Sequence, residues 1–575
     1  MGDFSIAELA QFLDDVRPTR LTVFALGHDG LAQFPSNIAK VAPGLQHDLP
    51  EIWRSLARDR KIEFALYVST LRNDVLVRER TDWARIRPDG IPTGRIEPSS
   101  PYVQEWLKPF LTELIGRYDP DGFFFDGDYW AIGEAGGQLR TAAAARLLGV
   151  EGAIEDASIV DQRRATVASY SEYILALASF LDEQAKDLRC SVNLAFTFRH
   201  PTPPPKGLSL ITSDLPPFFG PLDAWIETAV VLDEGQEREV VMPLFVEPEG
   251  GGRKYPKAPN QLIHEAAPLL AADESVHVYF PMALTGRIDT SYTASLNEMR
   301  AEIERMQLSA TMKAPTFEPD VLCLADSEAL QQSQDFGRLR GAMLSASIAG
   351  LNVGTAATAR CEARLDRIRT LIVPDGRPLS SAGQAVIEKA LELGVSVVGH
   401  DDPDFAERMV RANWHVDQQL VDDLRNVYGA SVIVTQWSEI EIERHWSVFV
   451  RGLVGQDGGW RLFFWNSVER GEQLGRHVLN KGSGYAGHVR VQLPETMRLD
   501  RVWGYADQSV ATAQSIEFEL TGPFAVVEGS CTTAPAGSAP KKPQFLSKSW
   551  RMPPMFSFGR RLLKQFGLNT PKHSK

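Results

Sequence analysis

Tyr118-Asp119-Pro120-Asp121-Gly122-Phe123-Phe124-Phe125-Asp126-Gly127-Asp128-Tyr129-Trp130 is the stretch that decides how this chain reads. Three phenylalanines in a row predict a strand buried on both faces. The first residue able to leave that apolar run is Asp126, followed by glycine. In a (β/α) barrel, residues at the C-terminal ends of the strands line the active site. A carboxylate there, beside Asp128, Tyr129 and Trp130, suits a sugar. Aromatic faces stack on the apolar face of a pyranose, and a carboxylate can attack or stabilise an anomeric carbon that is gaining positive charge. The plainer alternative makes Asp126 a loop cap and Asp128 a solvated acid.

Working outward, short apolar runs alternate with amphipathic helical stretches from Leu21 to about Met306. The expected strands are Leu21–Leu26, Ile62–Val68, Gly122–Phe125, Cys190–Phe196, Leu208–Thr212, Val240–Val246 and Val276–Phe280. Between them lie helices such as the one carrying Val167, Tyr170, Ile174, Leu177 and Leu181, whose spacing of three and four puts them on one face. Continuous apolar strands separated by helices indicate a parallel sheet covered on both sides. The count is seven, where a regular barrel has eight. An open doubly wound sheet would alternate too, but no glycine-rich phosphate loop follows the first strand.

The expected architecture is therefore an irregular (β/α) TIM-type barrel over 1–308, a small α/β flavodoxin-like domain over 309–415 and a C-terminal β-sandwich over 416–530. The second unit reads as strand Val321–Leu324, helix Phe336–Ala349, strand Thr370–Val373, helix Ser380–Leu393 stopped by Gly394, and strand Val395–Val398. Ser309–Asp320, with two prolines, reads as a linker. From about Val432 the period becomes two, and Trp446–Leu453 and Trp460–Trp465 flank the hairpin sequence Asp457-Gly458-Gly459. His488–Leu493 and Ser515–Leu520 add further short strands. Residues 531–575 are expected to be a disordered tail; Lys541 to Lys575 holds nine Lys or Arg and no acidic residue.

A formal net charge of −14 argues against nucleic acid as partner of the body, since phosphate binding wants a basic face. The four cysteines (Cys190, Cys323, Cys361, Cys531) form no CxxC pair, which argues against a zinc site or disulfide framework and fits a reducing compartment. Met1–Thr22 lacks a basic start and apolar core, and no apolar run approaches the roughly 18 residues needed to span a bilayer. A cytoplasmic protein is expected. In the tail, Phe558, Leu562, Leu563 and Phe566 would share one face of a short helix beside Arg560, Arg561 and Lys564. Such a stretch can rest on an anionic membrane surface, and a solubilising disordered tail is its alternative.

The run Tyr118–Gly127 resembles the strand motif of the alpha-L-fucosidase family, in which the aspartate before glycine is the nucleophile. The wider layout is similar to uncharacterised glycosyl hydrolase families related to it, through Phe34-Pro35-Ser36, Ala65-Leu66-Tyr67-Val68-Ser69, Asp82-Trp83 and Pro101-Tyr102. The middle unit resembles the glutamine-amidotransferase-like trimerisation domain of certain beta-galactosidases, through Leu371-Ile372-Val373-Pro374-Asp375. The resemblance spans about residues 20–530. It implies glycosidase activity with Asp126 as nucleophile and, through the trimerisation-like unit, a homo-oligomer; no cofactor is expected.

A glycosidase needs a second carboxyl group, and a general acid belongs in a less polar setting that raises its pKa. Asp214, at the end of Thr212-Ser213-Asp214 and followed by Leu215-Pro216-Pro217-Phe218-Phe219, fits that requirement. Glu247, after Val240–Val246, is the other candidate. Further residues at strand ends that would orient sugar hydroxyls are His28, Asp29, Tyr67, Asn193 and His200.

Rival chemistries lack their motifs. The eleven histidines contain no His-x-His pair for a metal hydrolase. Lys481-Gly482-Ser483-Gly484 reads as a turn rather than a nucleophile elbow. Cys323 falls within a strand and Cys361 in a loop, so no amidotransferase nucleophile is in place. The leading expectation is a retaining glycoside hydrolase acting on an oligo- or polysaccharide. A saccharide-binding barrel that serves polysaccharide assembly without turnover, and a transglycosylase, are the alternatives.

Overall fold

Buried parallel strands need side chains that are apolar on both faces, and the barrel strands have them: all five residues of Gly122–Asp126 are buried, as are six of the seven of Glu63–Ser69. The computed structural model describes residues 5–531 except 87–90, 128–158, 185–187, 198–205, 209, 216–220, 233–235, 248–253, 273, 282–286, 306–315, 334–335, 376–378, 412–415, 429–430, 435–437, 445–447, 455–458, 467–470, 475–476, 481–486 and 513. The basic tail lies outside them.

Seven parallel strands form the first sheet: β1 Arg20–Leu26, β2 Glu63–Ser69, β3 Gly122–Asp126, β4 Ser191–Asn193, β5 Leu210–Asp214, β6 Glu237–Pro243 and β7 Ser275–Tyr279. They lie side by side in chain order, and β1 and β7 are the unpaired edges. All seven sequence-expected strands are present. Among the described residues no eighth strand joins this sheet, and helices pack beside its β7 edge. Phe12, on the helix Ile6–Val16, packs edge-on against Phe280 at 4.8 Å, just beyond β7. Arg300, on the helix Thr290–Arg305, donates to the Asp15 carbonyl at 3.0 Å. Phe24 on β1 and Tyr279 on β7 stay 42% and 39% exposed along the open seam.

The second sheet has four parallel strands: β8 Val321–Ala325, β9 Val353–Ala357, β10 Thr370–Ile372 and β11 Ser396–Val398, in the order β9-β8-β10-β11. This is a flavodoxin-like arrangement. β9 was not expected from the sequence. Cys361 lies buried in a short helix, Thr358–Glu362, rather than in a loop, because the chain turns helical directly after β9. The expected linker also contributes structure, as Thr316–Phe317 pairs antiparallel with Leu453 and Val454.

The C-terminal part is an antiparallel, sandwich-like eight-stranded sheet. Its long strand Ser515–Cys531 serves both halves, pairing first with Gly487–Gln492 and then with Gly459–Asn466. The period of two is present, yet both faces are buried. Leu462 and Phe464 enter the sheet's own core, while Phe463 and Trp465 pack with Trp225 of the barrel. Trp225 and Trp465 stack at 5.5 Å. Arg451, fully buried, crosses the same boundary and donates to the Trp225 carbonyl at 2.9 Å.

The four cysteines are unpaired, and among the described residues no helix is long and apolar enough to cross a membrane.

Candidate active site

The decisive stretch is held in place from both ends. Before β3, the Asp121 carboxylate accepts the Phe64 N–H at 2.7 Å and aligns the strand with β2. After it, the Asp126 carbonyl accepts both the Thr70 N–H (2.8 Å) and the Thr70 hydroxyl (3.1 Å). Tyr102, from the motif Pro101-Tyr102, donates to the Thr70 carbonyl at 2.9 Å and fixes that loop. Gly127 has φ +72°, and a Cβ there would sit 3.0 Å from the Arg72 Cβ and 3.1 Å from the Ser69 Oγ. Both the backbone conformation and the close approach therefore call for glycine after Asp126.

Asp126 is 9% exposed at the mouth of the barrel. Donors converge on its carboxylate, among them the Tyr67 hydroxyl on Oδ2, and the Gly127 N–H (2.6 Å) and the Asn193 amide (3.0 Å) on Oδ1. This is how a protein solvates a negative charge in place of water. Burial first, then the Asp126 charge, push the Tyr67 phenol well above its ordinary pKa, so it stays a donor.

Asn193, at the end of β4, orders the site. Its Oδ1 accepts the Ala195 N–H at 2.7 Å, which sets the amide orientation. Both hydrogens of Nδ2 then go to carboxylates, one to Asp126 and one to Asp214 Oδ2 at 2.9 Å. Ala195 takes a left-handed φ of 60°, and its carbonyl accepts the Asp214 N–H at 3.0 Å. Strain of this kind, on the order of 1–3 kcal/mol, persists where the surroundings hold it. Here it turns the chain from Asn193 back to Asp214. The two accepting oxygens, bonded to one nitrogen at 3.0 and 2.9 Å, are less than about 6 Å apart.

The two carboxyl groups sit in different surroundings. Desolvation first, and the nearby Asp126 charge second, push Asp214 up to about 7, against the opposing Asn193 hydrogen bond and His277. The Asp126 carboxylate accepts from Tyr67, Gly127 and Asn193. A carboxyl group raised in this way beside a second, hydrogen-bonded carboxyl group has the form of a general acid.

His28, following β1, shares a 2.6 Å hydrogen bond between Nδ1 and the Ser69 hydroxyl, which itself donates to the Arg72 carbonyl at 2.6 Å. Nδ1 must therefore carry the proton. Nε2 lies 3.5 Å from Asp126 Oδ2 and 3.4 Å from the Tyr67 hydroxyl. Burial lowers the pKa of the ring; Asp126 opposes this and Arg72 and Arg95 add to it, which favours the neutral form of His28. Neutral imidazole here can accept a hydroxyl proton from a ligand.

Of the sequence-expected residues, Asp126, Asp214, His28, Tyr67 and Asn193 converge at one place. Glu247 is half-buried after the short strand Phe245–Val246, on the side of β7. Burial, then Glu247, then Asp126 raise the Tyr279 phenol, so Tyr279 lies within the field of both carboxylates. Asp29 is exposed, and its carboxylate caps its own turn through the Leu31 N–H at 3.1 Å. Asp128, Tyr129, Trp130 and His200 lie outside the described residues. Sequence reading missed Ser69, Thr70 and Tyr279. Tyr279 ends a strand as Asp126 does, and that rule would have found it.

A further buried carboxylate, Glu239, lies deeper in β6. It accepts from Ser191 (3.1 Å) and Thr212 (2.7 Å) and lies 3.5 Å from His277. Burial raises it, but His277, the Arg20 charge and the Thr212 hydrogen bond together hold it at about 2. It is a charged floor to the site. Among the described residues no group of three or more His, Cys, Asp or Glu side chains is arranged to hold a metal ion.

No family model and no curated protein matches this chain. Solved structures do. An alpha-L-fucosidase isoenzyme 2 from Paenibacillus thiaminolyticus superposes with a TM-score of 0.70 at 15% identity, over 92% of this chain and 97% of that one. A beta-galactosidase from the haloarchaeon Halorubrum lacusprofundi gives 0.55 at 12% identity, over 92% and 98%. A GH42 beta-galactosidase from G. stearothermophilus gives 0.56 at 11% identity, again over 92% and 98%. The fold of the whole described chain is thus one that glycoside hydrolases use. At such identities the likeness speaks for the fold alone.

Proposed function

We propose that this chain is a retaining glycoside hydrolase, with Asp126 as nucleophile and Asp214 as general acid and base. The observation that carries the reading is the pair Asp126–Asp214 on the two hydrogens of the Asn193 amide, less than about 6 Å apart, with Asp214 pushed up to about 7. Retaining enzymes hold their two carboxyl groups about 5–5.5 Å apart, whereas inverting ones leave about 6.5–9.5 Å for a water.

Asp126 would attack the anomeric carbon while Asp214 protonates the departing oxygen, and Asp214, now ionised, would take a proton from the water that releases the sugar. Tyr67 and the Gly127 N–H hold the Asp126 carboxylate, and His28 receives a sugar hydroxyl. The fold shared with enzymes named alpha-L-fucosidase and beta-galactosidase supports the reading. Glu247 is the alternative acid and base, because Tyr279 lies within the field of both Glu247 and Asp126.

The test is a screen of aryl glycosides and oligosaccharides with wild type and Asp126→Asn. Hydrolysis by wild type, with the first product keeping the anomeric configuration by proton NMR, supports the proposal. Inversion, or an Asp126→Asn variant that keeps more than roughly a tenth of the turnover, overturns it.

A further inference from the structure

The loop after β2 and the hairpin Ala84–Ile86/Pro92–Ile96 meet beside the carboxylate pair. The Ile96 N–H donates to the Leu71 carbonyl at 2.8 Å, and Arg72 and Arg95 stand opposite each other across an antiparallel bridge. Residues directly opposite in such a bridge project to the same face. Arg72 is tied to the site through its backbone: its carbonyl receives the Ser69 hydroxyl that holds His28, and its Cβ is 3.0 Å from where a Cβ on Gly127 would sit.

A structural arginine at a half-buried position normally gives its guanidinium to a carboxylate or to carbonyls. Among the described residues Arg72 makes no ion pair, and its buried Nε has no hydrogen-bond partner. Its charge, with that of Arg95, reaches the His28 ring and helps keep it neutral. Asp74, close to Gly94 in the same loop pair, offsets part of this charge. A buried donor on a cation, left without a partner beside a site that binds ligand, marks a place for an anion.

We propose that the sugar bound here carries an anionic substituent (a carboxylate, sulfate or phosphate), which the Arg72 guanidinium receives beside the Asp126–Asp214 pair. The proposal rests on the glycosidase reading and adds the substrate class. Guanidinium pairs with these groups through two parallel N–H···O bonds, a geometry that lysine cannot reproduce.

Free monosaccharides, which have no scissile bond, separate binding from turnover. Calorimetry at pH 7 would compare hexuronates, 6-sulfated and 6-phosphorylated hexoses, their neutral parents, and inorganic sulfate and phosphate alone. At least one acid should bind wild type roughly tenfold or more tightly than its neutral parent, a factor that one charge-assisted hydrogen bond supplies. Which acid does so names the substituent. In Arg72→Gln the ratio should fall towards one, and Arg72→Lys should keep part of it.

Equal binding of every acid and its parent by wild type overturns the inference, whatever the variants do. So does an undiminished ratio in folded Arg72→Gln, or an inorganic ion bound as tightly as the sugar acid. Hydrolysis of neutral glycosides with no preference for acids removes this inference and leaves the glycosidase reading standing. Acid-sugar binding without any hydrolysis removes that reading and leaves this one.

Discussion

Asp126 and Asp214 are joined by the side-chain amide of Asn193, which gives one hydrogen to each at 3.0 and 2.9 Å. The amide can do this because its oxygen is already committed to the Ala195 N–H. Asn193 therefore sets the spacing of the two carboxyl groups and also part of the difference between them, since its hydrogen bond stabilises the charged form of Asp214.

Asn193→Ala removes that bond, so the Asp214 pKa should rise further above about 7. The alkaline limb of the pH–rate profile should move to higher pH, and turnover should fall roughly 10- to 100-fold as the spacing relaxes. An unmoved alkaline limb counts against Asp214 as the acid.

Asp214→Asn takes away the general acid itself. Turnover of substrates with poor leaving groups should drop by about 10²–10⁴, with a smaller loss on activated aryl glycosides. The alkaline limb near pH 7 should disappear. The same substitution in Glu247, Glu247→Gln, should have the lesser effect; the reverse order transfers the acid role to Glu247.

The raised pKa of Asp214 also bears on stability. A carboxyl group whose folded pKa exceeds its unfolded value of about 4 stabilises the fold below that value and loses the contribution as pH rises through about 7. Melting temperatures of wild type and Asp214→Asn should therefore diverge in favour of the variant between pH 4 and pH 8. A constant difference across that range contradicts the elevated pKa.

Tyr67→Phe removes the hydroxyl donor on Asp126 Oδ2 and keeps the ring that stacks on Phe24 at 3.9 Å. A hydrogen bond to a charged group contributes roughly 1.5–3 kcal/mol, so kcat/KM should fall about 10- to 150-fold with the melting temperature little changed. A fall in stability without loss of rate would make Tyr67 a core residue.

The barrel strands are legible because a strand covered on both faces must be apolar throughout, and Phe123–Phe125 or Val240–Val246 cannot be mistaken for surface. β9 escapes the same rule. Its residues Val353-Gly354-Thr355-Ala356-Ala357 are small because neighbours press on them; a Cβ on Gly354 would meet Phe317 and Pro319 at 3.0 Å. That crowding is a tertiary fact and leaves no periodic trace. The Asp-Gly strand end and Asp214's apolar sequel are local and readable. The bridging role of Asn193 is not, since it depends on the register of β4 beside β3 and on the left-handed turn at Ala195. The Arg72 guanidinium, which makes no ion pair among the described residues, likewise emerges only once the hairpin is docked on its loop.

The most direct test of the account is to trap the glycosyl-enzyme. Wild type would be incubated with an activated 2-fluoro glycoside of the sugar found by screening, digested, and read by peptide mass spectrometry. A peptide containing Asp126 that is heavier by one fluoroglycosyl residue, with loss of activity in step, is the predicted result. A label on a peptide that lacks Asp126, or hydrolysis that proceeds with no labelled peptide and with inversion at the anomeric carbon, contradicts the account.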